Sequence, residues 1–313
     1  MSKSAIIFLV YVFLLTETED KNMPSKFDTI MNYEKTNRVV YNSLCRSIDN
    51  KMGGVLPFVG AGISAFAYKT WGNLLLEFSK NISTKDRHKV EKAVETGEYF
   101  VATDLLSNSY GETLFYEELR EFFSEDKIND EELRKSAAFL IPKLCKGNCI
   151  TTNFDRVLEH ACHLNNIVPD KAIPTNTNHL NEYLRNGSKR SALIFKIHGD
   201  ILSNKNDIVL TGKSYDTHYG VDTPLRKQLT RWIDSRKLLF LGASLKQDRT
   251  VDILRERMEE GMYNYAIYGC EKEEIPELKQ HFEALNIMSI FYDSSNHECV
   301  RTILLQLIKD LKL

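Results

Sequence analysis

The chain has 313 residues, 42% apolar and 10% aromatic, with 41 Lys and Arg against 43 Asp and Glu for a net charge of −2. This balance excludes a disordered tail and a collagen-like chain, and it supplies no overall basic field that would predict nucleic-acid binding. A chain of this length is expected to form one large domain or two modest ones, and it can bury roughly three quarters of its unfolded surface without disulfide staples.

Ala5 to Leu15 reads AIIFLVYVFLL, eleven apolar residues without a charge. A spanning helix needs about 20. Lys3 ahead of the run fits the start of a signal peptide, but Thr16-Glu17-Thr18-Glu19-Asp20 follows with no small-residue cleavage site. The first expectation is a dispensable extension or an early start codon, with Met23 and Met31 as later starts. A signal or short anchor is the second, and a buried strand or helix the plain alternative.

Continuous apolar runs bounded by turn residues predict buried parallel strands at Val55–Val59, Cys149–Thr152, Ala192–Ile197, Ile208–Leu210, Lys237–Leu241, Tyr263–Tyr268 and Ile287–Tyr292. From Trp71 to Lys146 the pattern is helical, with Leu133, Ala137, Leu140, Ile141 and Leu144 on one face. The Asn-rich stretch Asp170–Asn181 predicts a flexible loop. Val300, Ile303, Leu304, Leu307, Ile308 and Leu311 form the stripe of a last helix, with Ser295 and Glu298 as a capping box. A strand, a long helical stretch, then alternating strands and helices predict an α/β fold: a Rossmann-like parallel sheet with a helical insertion. The six cysteines contain no C-x-x-C pair, so no metal site is expected, and free thiols in a reducing compartment are the simpler reading.

Four predicted strands end on small or polar residues: Gly60-Ala61-Gly62-Ile63-Ser64, Thr152-Asn153-Phe154-Asp155, His198-Gly199-Asp200 and Gly242-Ala243-Ser244. In an open parallel sheet the carboxyl ends of strands line one edge, where ligands bind. Gly60 and Gly62 would let backbone approach a phosphate, with free N–H groups of the next helical turn facing the anion. The third glycine of a dinucleotide fingerprint is absent, so this segment alone is a weak nucleotide signal. Each piece has a plain alternative: a tight turn at the glycines, a helix cap at Asn153 or Asp155, a structural histidine at His198, turn chemistry at Gly242 and Ser244. The weight lies in their joint occurrence.

These four segments, in this order, resemble the sirtuin NAD-consuming fold from about Val55 to Tyr268. Protein-deacylating sirtuins carry Asp-Phe-Arg after the glycine segment, Gln before the Asn, and a four-Cys zinc module. This chain has AFAYKTW from Ala65 to Trp71, Thr152 before Asn153, and only Cys270 and Cys299 after His198. TTNFD, KIHGD, Val209-Leu210-Thr211 with Tyr215, and LFLGASLKQD ending at Asp248 resemble the sirtuin-like domains of bacterial antiphage defence systems.

That resemblance implies an NAD+ hydrolase that depletes the infected cell, with a protein deacylase or a non-catalytic NAD+ or ADP-ribose-binding module as alternatives. It implies that Gly60, Ala61, Gly62 and Ser64 cradle phosphates and that Gly242 and Ser244 contact phosphate or the adenosine ribose. It further places Asn153 at the nicotinamide ribose or attacking water, with Thr152 beside it and Asp155 orienting Asn153 or the nicotinamide pocket. His198 becomes the general base or polarises a ribose hydroxyl, and Asp248 makes an adenosine or a structural contact. No metal is implied. One catalytic domain over residues 32–313 is expected, with a helical insertion at about 71–146, behind an extension of residues 1–31. An enzyme that destroys a central cofactor needs restraint, so self-assembly, a partner ATPase or a phage-derived trigger is expected, without nucleic-acid contact. NAD+ and free thiols together imply a cytoplasmic protein, with membrane association through residues 5–15 as the alternative.

Overall fold

The computed structural model describes residues 24–49, 54–175, 192–245, 249–256 and 263–313. Among them seven strands form one sheet: β1 (Val55–Val59), β2 (Cys149–Thr151), β3 (Asp170–Ala172), β4 (Leu193–Lys196), β5 (Lys237–Leu241), β6 (Asn264–Cys270) and β7 (Ile287–Asp293). Their order is β3-β4-β2-β1-β5-β6-β7, and every pairing is parallel. Parallel neighbours require long crossovers; among the described residues helices supply them, and both faces of the sheet carry a buried core. Along β1, Leu56 and Phe58 enter one core with Ile150, Phe195, Phe240 and Trp232. Val59 enters the other, with Leu239, Leu241 and the apolar faces of the helical segment. The α/β fold expected from the apolar runs is the fold observed.

The chain leaves β1 for β2 on one side and later crosses from β4 to β5 on the other. β1 is therefore the switch point, and the crevice outside its carboxyl end is where such sheets take ligands.

Several local expectations differ. Ile208–Leu210 is buried but is not a strand. Its N–H groups are taken up elsewhere: Val209 donates to the His198 carbonyl (2.9 Å) and Leu210 to the Ser214 hydroxyl (2.7 Å). The expected flexible loop opens with the edge strand β3, paired to β4; residues 176–181 of that loop lie outside the described residues. The face running from Leu133 to Leu144 is largely buried but belongs to separate pieces. Helix Asp130–Lys135 stops where Ser136 is extended (ψ 167°), and helix Ile141–Cys145 restarts with Pro142 in its first turn.

Helix Glu298–Leu311 buries Val300, Ile303, Leu304 and Leu307 as the stripe requires. The expected capping box does not form: Asn296 accepts from the Glu298 N–H (3.2 Å), while Ser295 bonds back to Asp293. Helices Lys26–Met31 and Asn37–Asp49 pack on this side of the sheet. Buried Asn37 donates to the Ile30 and Phe291 carbonyls (2.8 and 2.7 Å) and accepts from the Phe291 N–H (2.9 Å). The apolar run Ala5–Leu15 lies outside the described residues. Among the described residues no helix is long and apolar enough to cross a membrane.

Candidate functional site

Register brings the four strand ends together. Val59 of β1 pairs with Thr151 of β2 and Leu241 of β5, and Thr151 pairs with Lys196 of β4. Gly60, Thr152 and Gly242 therefore lie one step beyond the same level, and Asn153 and His198 two steps beyond it. Adjacent strands are about 4.8 Å apart, so these turns are immediate neighbours. Asp248 lies outside the described residues.

The β1 and β5 turns meet backbone to backbone. The Gly60 N–H donates to the Leu241 carbonyl (2.9 Å) and the Gly62 N–H to the Gly242 carbonyl (3.0 Å). A Cβ on Gly60 would lie 2.5 Å from the Gly242 oxygen and 2.7 Å from the Ala243 Cα. Gly242 has φ +64°, and its Cβ would lie 2.6 Å from the Ile63 nitrogen. The glycines are thus required by the contact between two loops. This changes one expectation: the N–H groups of Gly60, Gly62 and Ile63 are engaged by chain carbonyls rather than left facing an anion. Ala61 and Gly62 remain exposed at the crevice, as does Ser244, whose carbonyl accepts from the Tyr268 hydroxyl (3.1 Å).

Asn153 is buried beside the β1 turn. Its backbone N–H donates to the Thr151 hydroxyl (3.0 Å), and its Nδ2 donates to the Gly60 carbonyl (3.2 Å) and to Ser64 Oγ (3.1 Å). Its Oδ1 is buried without a partner. Since a buried acceptor left unpaired is costly, this oxygen is the orphan a ligand or water would satisfy. Ser64 is buried too, and it hydrogen-bonds Asp155 in turn. Asp155 Oδ1 accepts from the Val157 N–H (2.9 Å) at the start of helix Val157–Leu164, so the capping role weighed from sequence is present. Burial holds the Asp155 carboxyl above its ordinary pKa, only partly countered by the Lys196 ammonium and these hydrogen bonds. Thr152 is half-buried between Thr151 and Asn153.

Beneath this turn lies a charge cluster that sequence reasoning did not assign. Lys196, the last residue of β4, is fully buried. Its Nζ donates to the Phe154 carbonyl (3.3 Å), the Asp155 carbonyl and Glu159 Oε1 (2.9 Å), and stands 3.3 Å from Asp200 Oδ2. Asp200 also pairs with Lys171 of β3 (2.9 Å). Burial pulls the Lys196 pKa down, but the Glu159, Asp200 and Asp155 carboxylates outweigh it and raise it. Burial raises Asp200, but Lys196 and Lys171 outweigh it and lower it. The available signal was a lysine inside the apolar run ALIFKI, because a buried ammonium needs carboxylate partners.

His198 is buried two residues beyond Lys196. The left-handed Gly199 (φ +91°) follows it; a Cβ there would lie 2.2 Å from the Asp207 carbonyl oxygen. The Tyr215 hydroxyl stands 3.1 Å from His198 Nε2 and 3.4 Å from Nδ1, with Tyr219 stacked on Tyr215. The helical segment supports this side. Phe100 lies against Tyr215 (4.1 Å between centroids), and Asp104 accepts from the Gly212 N–H (3.2 Å) at the start of helix Gly212–Tyr219. Phe154 lies between Trp71 and the His198 ring, closing the apolar side.

A separate groove is lined by Thr113, Tyr116, Glu117, Arg120 and residues 204–207. It carries none of the candidate residues, and the Arg120 guanidinium in it already donates to the Ile201 and Ser203 carbonyls. Among the described residues no group of three or more His, Cys, Asp or Glu could hold a metal ion. All six cysteines are free thiols.

Residues 147–290 match the family model of the SIR2-like domain, a domain of the sirtuin family. The matched span holds Asn153, His198, Gly242 and Ser244; the Gly60–Ser64 turn precedes it. No curated protein matches the chain.

Proposed function

We propose that the protein is an NAD+ hydrolase, cleaving the nicotinamide–ribose bond to give nicotinamide and ADP-ribose, and that it serves as an antiphage-defence effector depleting NAD+ in the infected cell. The observation carrying this reading is the buried, unpartnered Asn153 Oδ1 at the same strand-end level as His198, in a segment matching a family that acts on NAD+. Cleavage leaves neutral nicotinamide and an oxocarbenium-like ribose, so the site must orient the ribose and present a water to the anomeric carbon. Asn153 Oδ1 accepts from that water or a ribose hydroxyl, held in place by the Gly60 and Ser64 contacts of its Nδ2. His198 takes the proton as general base or polarises the ribose hydroxyl.

Phosphates run over the exposed Ala61–Gly62 edge and Ser244, with Gly60 and Gly242 shaping that edge from behind and Thr152 beside it. Asp155 orients Ser64 and, through it, Asn153. Asp248 contacts adenosine. One catalytic domain over residues 32–313, with its helical insertion at about 71–146, works in the cytoplasm without a metal. Restraint comes from self-assembly, a partner ATPase or a phage trigger. The defence role rests on the motif resemblance of TTNFD, KIHGD and LFLGASLKQD.

Incubation with NAD+ tests the chemistry. The expected result is nicotinamide release without any peptide, abolished by Asn153→Ala and by His198→Ala in proteins that remain folded. Release that depends on an acetylated peptide would make the protein a deacylase. Calorimetric binding with NAD+ left intact, trigger included, would make it a binding module.

A further inference from the structure

We propose that Lys196 is a positioning residue of this site: its ammonium, bonded to the Phe154 and Asp155 carbonyls and to Glu159, fixes the Asn153-bearing turn against the strand end that carries His198. The inference rests on the reading that Asn153 and His198 serve one substrate, and its structural part can be tested without that reading.

The chain places Asn153 and His198 on different strands, and the two strands end before either residue. Thr151 and Lys196 are the last paired positions. Beyond them one backbone bond joins the two turns, from the Ile201 N–H to the Phe154 carbonyl (3.1 Å). The Lys196 side chain is a second bridge. It starts on β4, two residues before His198, and ends on two consecutive carbonyls of the β2 turn, one and two residues after Asn153. Glu159 takes a further donor at 2.9 Å. Because Glu159 sits in the first turn of helix Val157–Leu164, the ammonium also fixes where that helix begins. An ammonium has three donors and no acceptor, so carbonyls and carboxylates are the partners it can hold. A turn held through its carbonyls keeps Asn153 Nδ2 on Gly60 and Ser64, and with it the orientation of the unpartnered Oδ1.

The consequence is kinetic. Loss of the Lys196 bridge leaves the single Ile201–Phe154 backbone bond between the turns and lets Asn153 and His198 drift relative to each other, while the phosphate-side edge formed by β1 and β5 stays intact. Binding is retained and the chemical step suffers; a misplacement of about 1 Å costs on the order of 10²-fold in rate.

Lys196→Met alone leaves Glu159 and Asp200 without their ammonium and can fail to fold. The informative pair is therefore Glu159→Gln and Lys196→Met/Glu159→Gln, in which Asp200 keeps Lys171. Relative to the Glu159→Gln parent, the double variant is expected to lose about 10²-fold in kcat for nicotinamide release with Kd for NAD+ within about threefold. Amide hydrogen exchange should accelerate across residues 153–155 and not in the β1 and β5 strand ends. A loss confined to NAD+ affinity, unchanged kcat, or unchanged exchange across 153–155 would overturn the proposal. So would failure of the charge-balanced double variant to fold, which assigns Lys196 to the stability of the fold. If the wild-type chain releases no nicotinamide, the functional reading falls, and the exchange comparison alone decides the positioning role.

Discussion

On the β1/β5 side of the crevice, geometry is set by backbone: Gly60, Gly62 and Gly242 meet at distances no Cβ would allow, and the chain's own N–H groups and carbonyls pair across the contact. On the β2/β4 side it is set by buried charge: one ammonium, two carboxylates and two carbonyls lock the turn that carries Asn153. The first device depends on space and ignores pH and salt. The second depends on protonation and on having every partner present. Under the proposed function, phosphates bind on the stiff edge and chemistry runs on the charge-braced edge, which would separate affinity from turnover. The two sides should therefore respond differently to mutation.

The largest expected effect is on the charged side. Lys196→Met leaves buried Glu159 without its ammonium and Asp200 with Lys171 alone, and should cost about 3–5 kcal/mol of stability, the cost of removing one partner of a buried pair, read as a fall in the urea midpoint. A loss below about 1 kcal/mol is what an exposed pair would give and would contradict the burial. Next comes Gly60→Ala, whose Cβ meets rigid backbone on the β5 loop; overpacking of this kind costs about 1–3 kcal/mol, and the loss should be the same at every pH. Unperturbed unfolding of Gly60→Ala would mean that the two loops are not in contact.

pH sharpens the contrast. The lysines hold the Asp200 pKa below its ordinary value despite burial, so the folded state binds its proton less tightly than the unfolded state, where Asp titrates near about 3.9. Its stabilisation is complete above that pH and lost as pH falls through the lowered folded value. The stability gap between wild type and Asp200→Asn should therefore be full at neutral pH and close on acidification, while the Gly60→Ala gap stays constant. The smallest effect is expected at exposed Ser244: Ser244→Ala should change stability by no more than about 0.5 kcal/mol, with any change confined to NAD+ affinity.

Much of this arrangement was legible in the sequence, for physical reasons that vary by element. Strands buried on both faces are written as continuous apolar runs, so β1, β2, β4 and β5 could be read directly, along with the turns that end them. β3 could not, because Asp170 and Lys171 carry the polarity of an edge strand. Ile208–Leu210 has a strand's composition, but His198 and Ser214 take up its N–H groups. The glycines were visible, yet their reason was not: the atoms that exclude a Cβ belong to a loop about 180 residues away in the chain, and non-local contact leaves no local signature. Lys196 was visible as an anomaly in an apolar run, but Glu159 precedes it by 37 residues, and only the fold shows that they meet.

The most direct test of the account is nicotinamide release from NAD+ by the purified full chain, without peptide, for wild type and Asn153→Ala in parallel with unfolding curves. The account predicts release by wild type and none by the variant, which stays folded. Equal release by both folded proteins would contradict it.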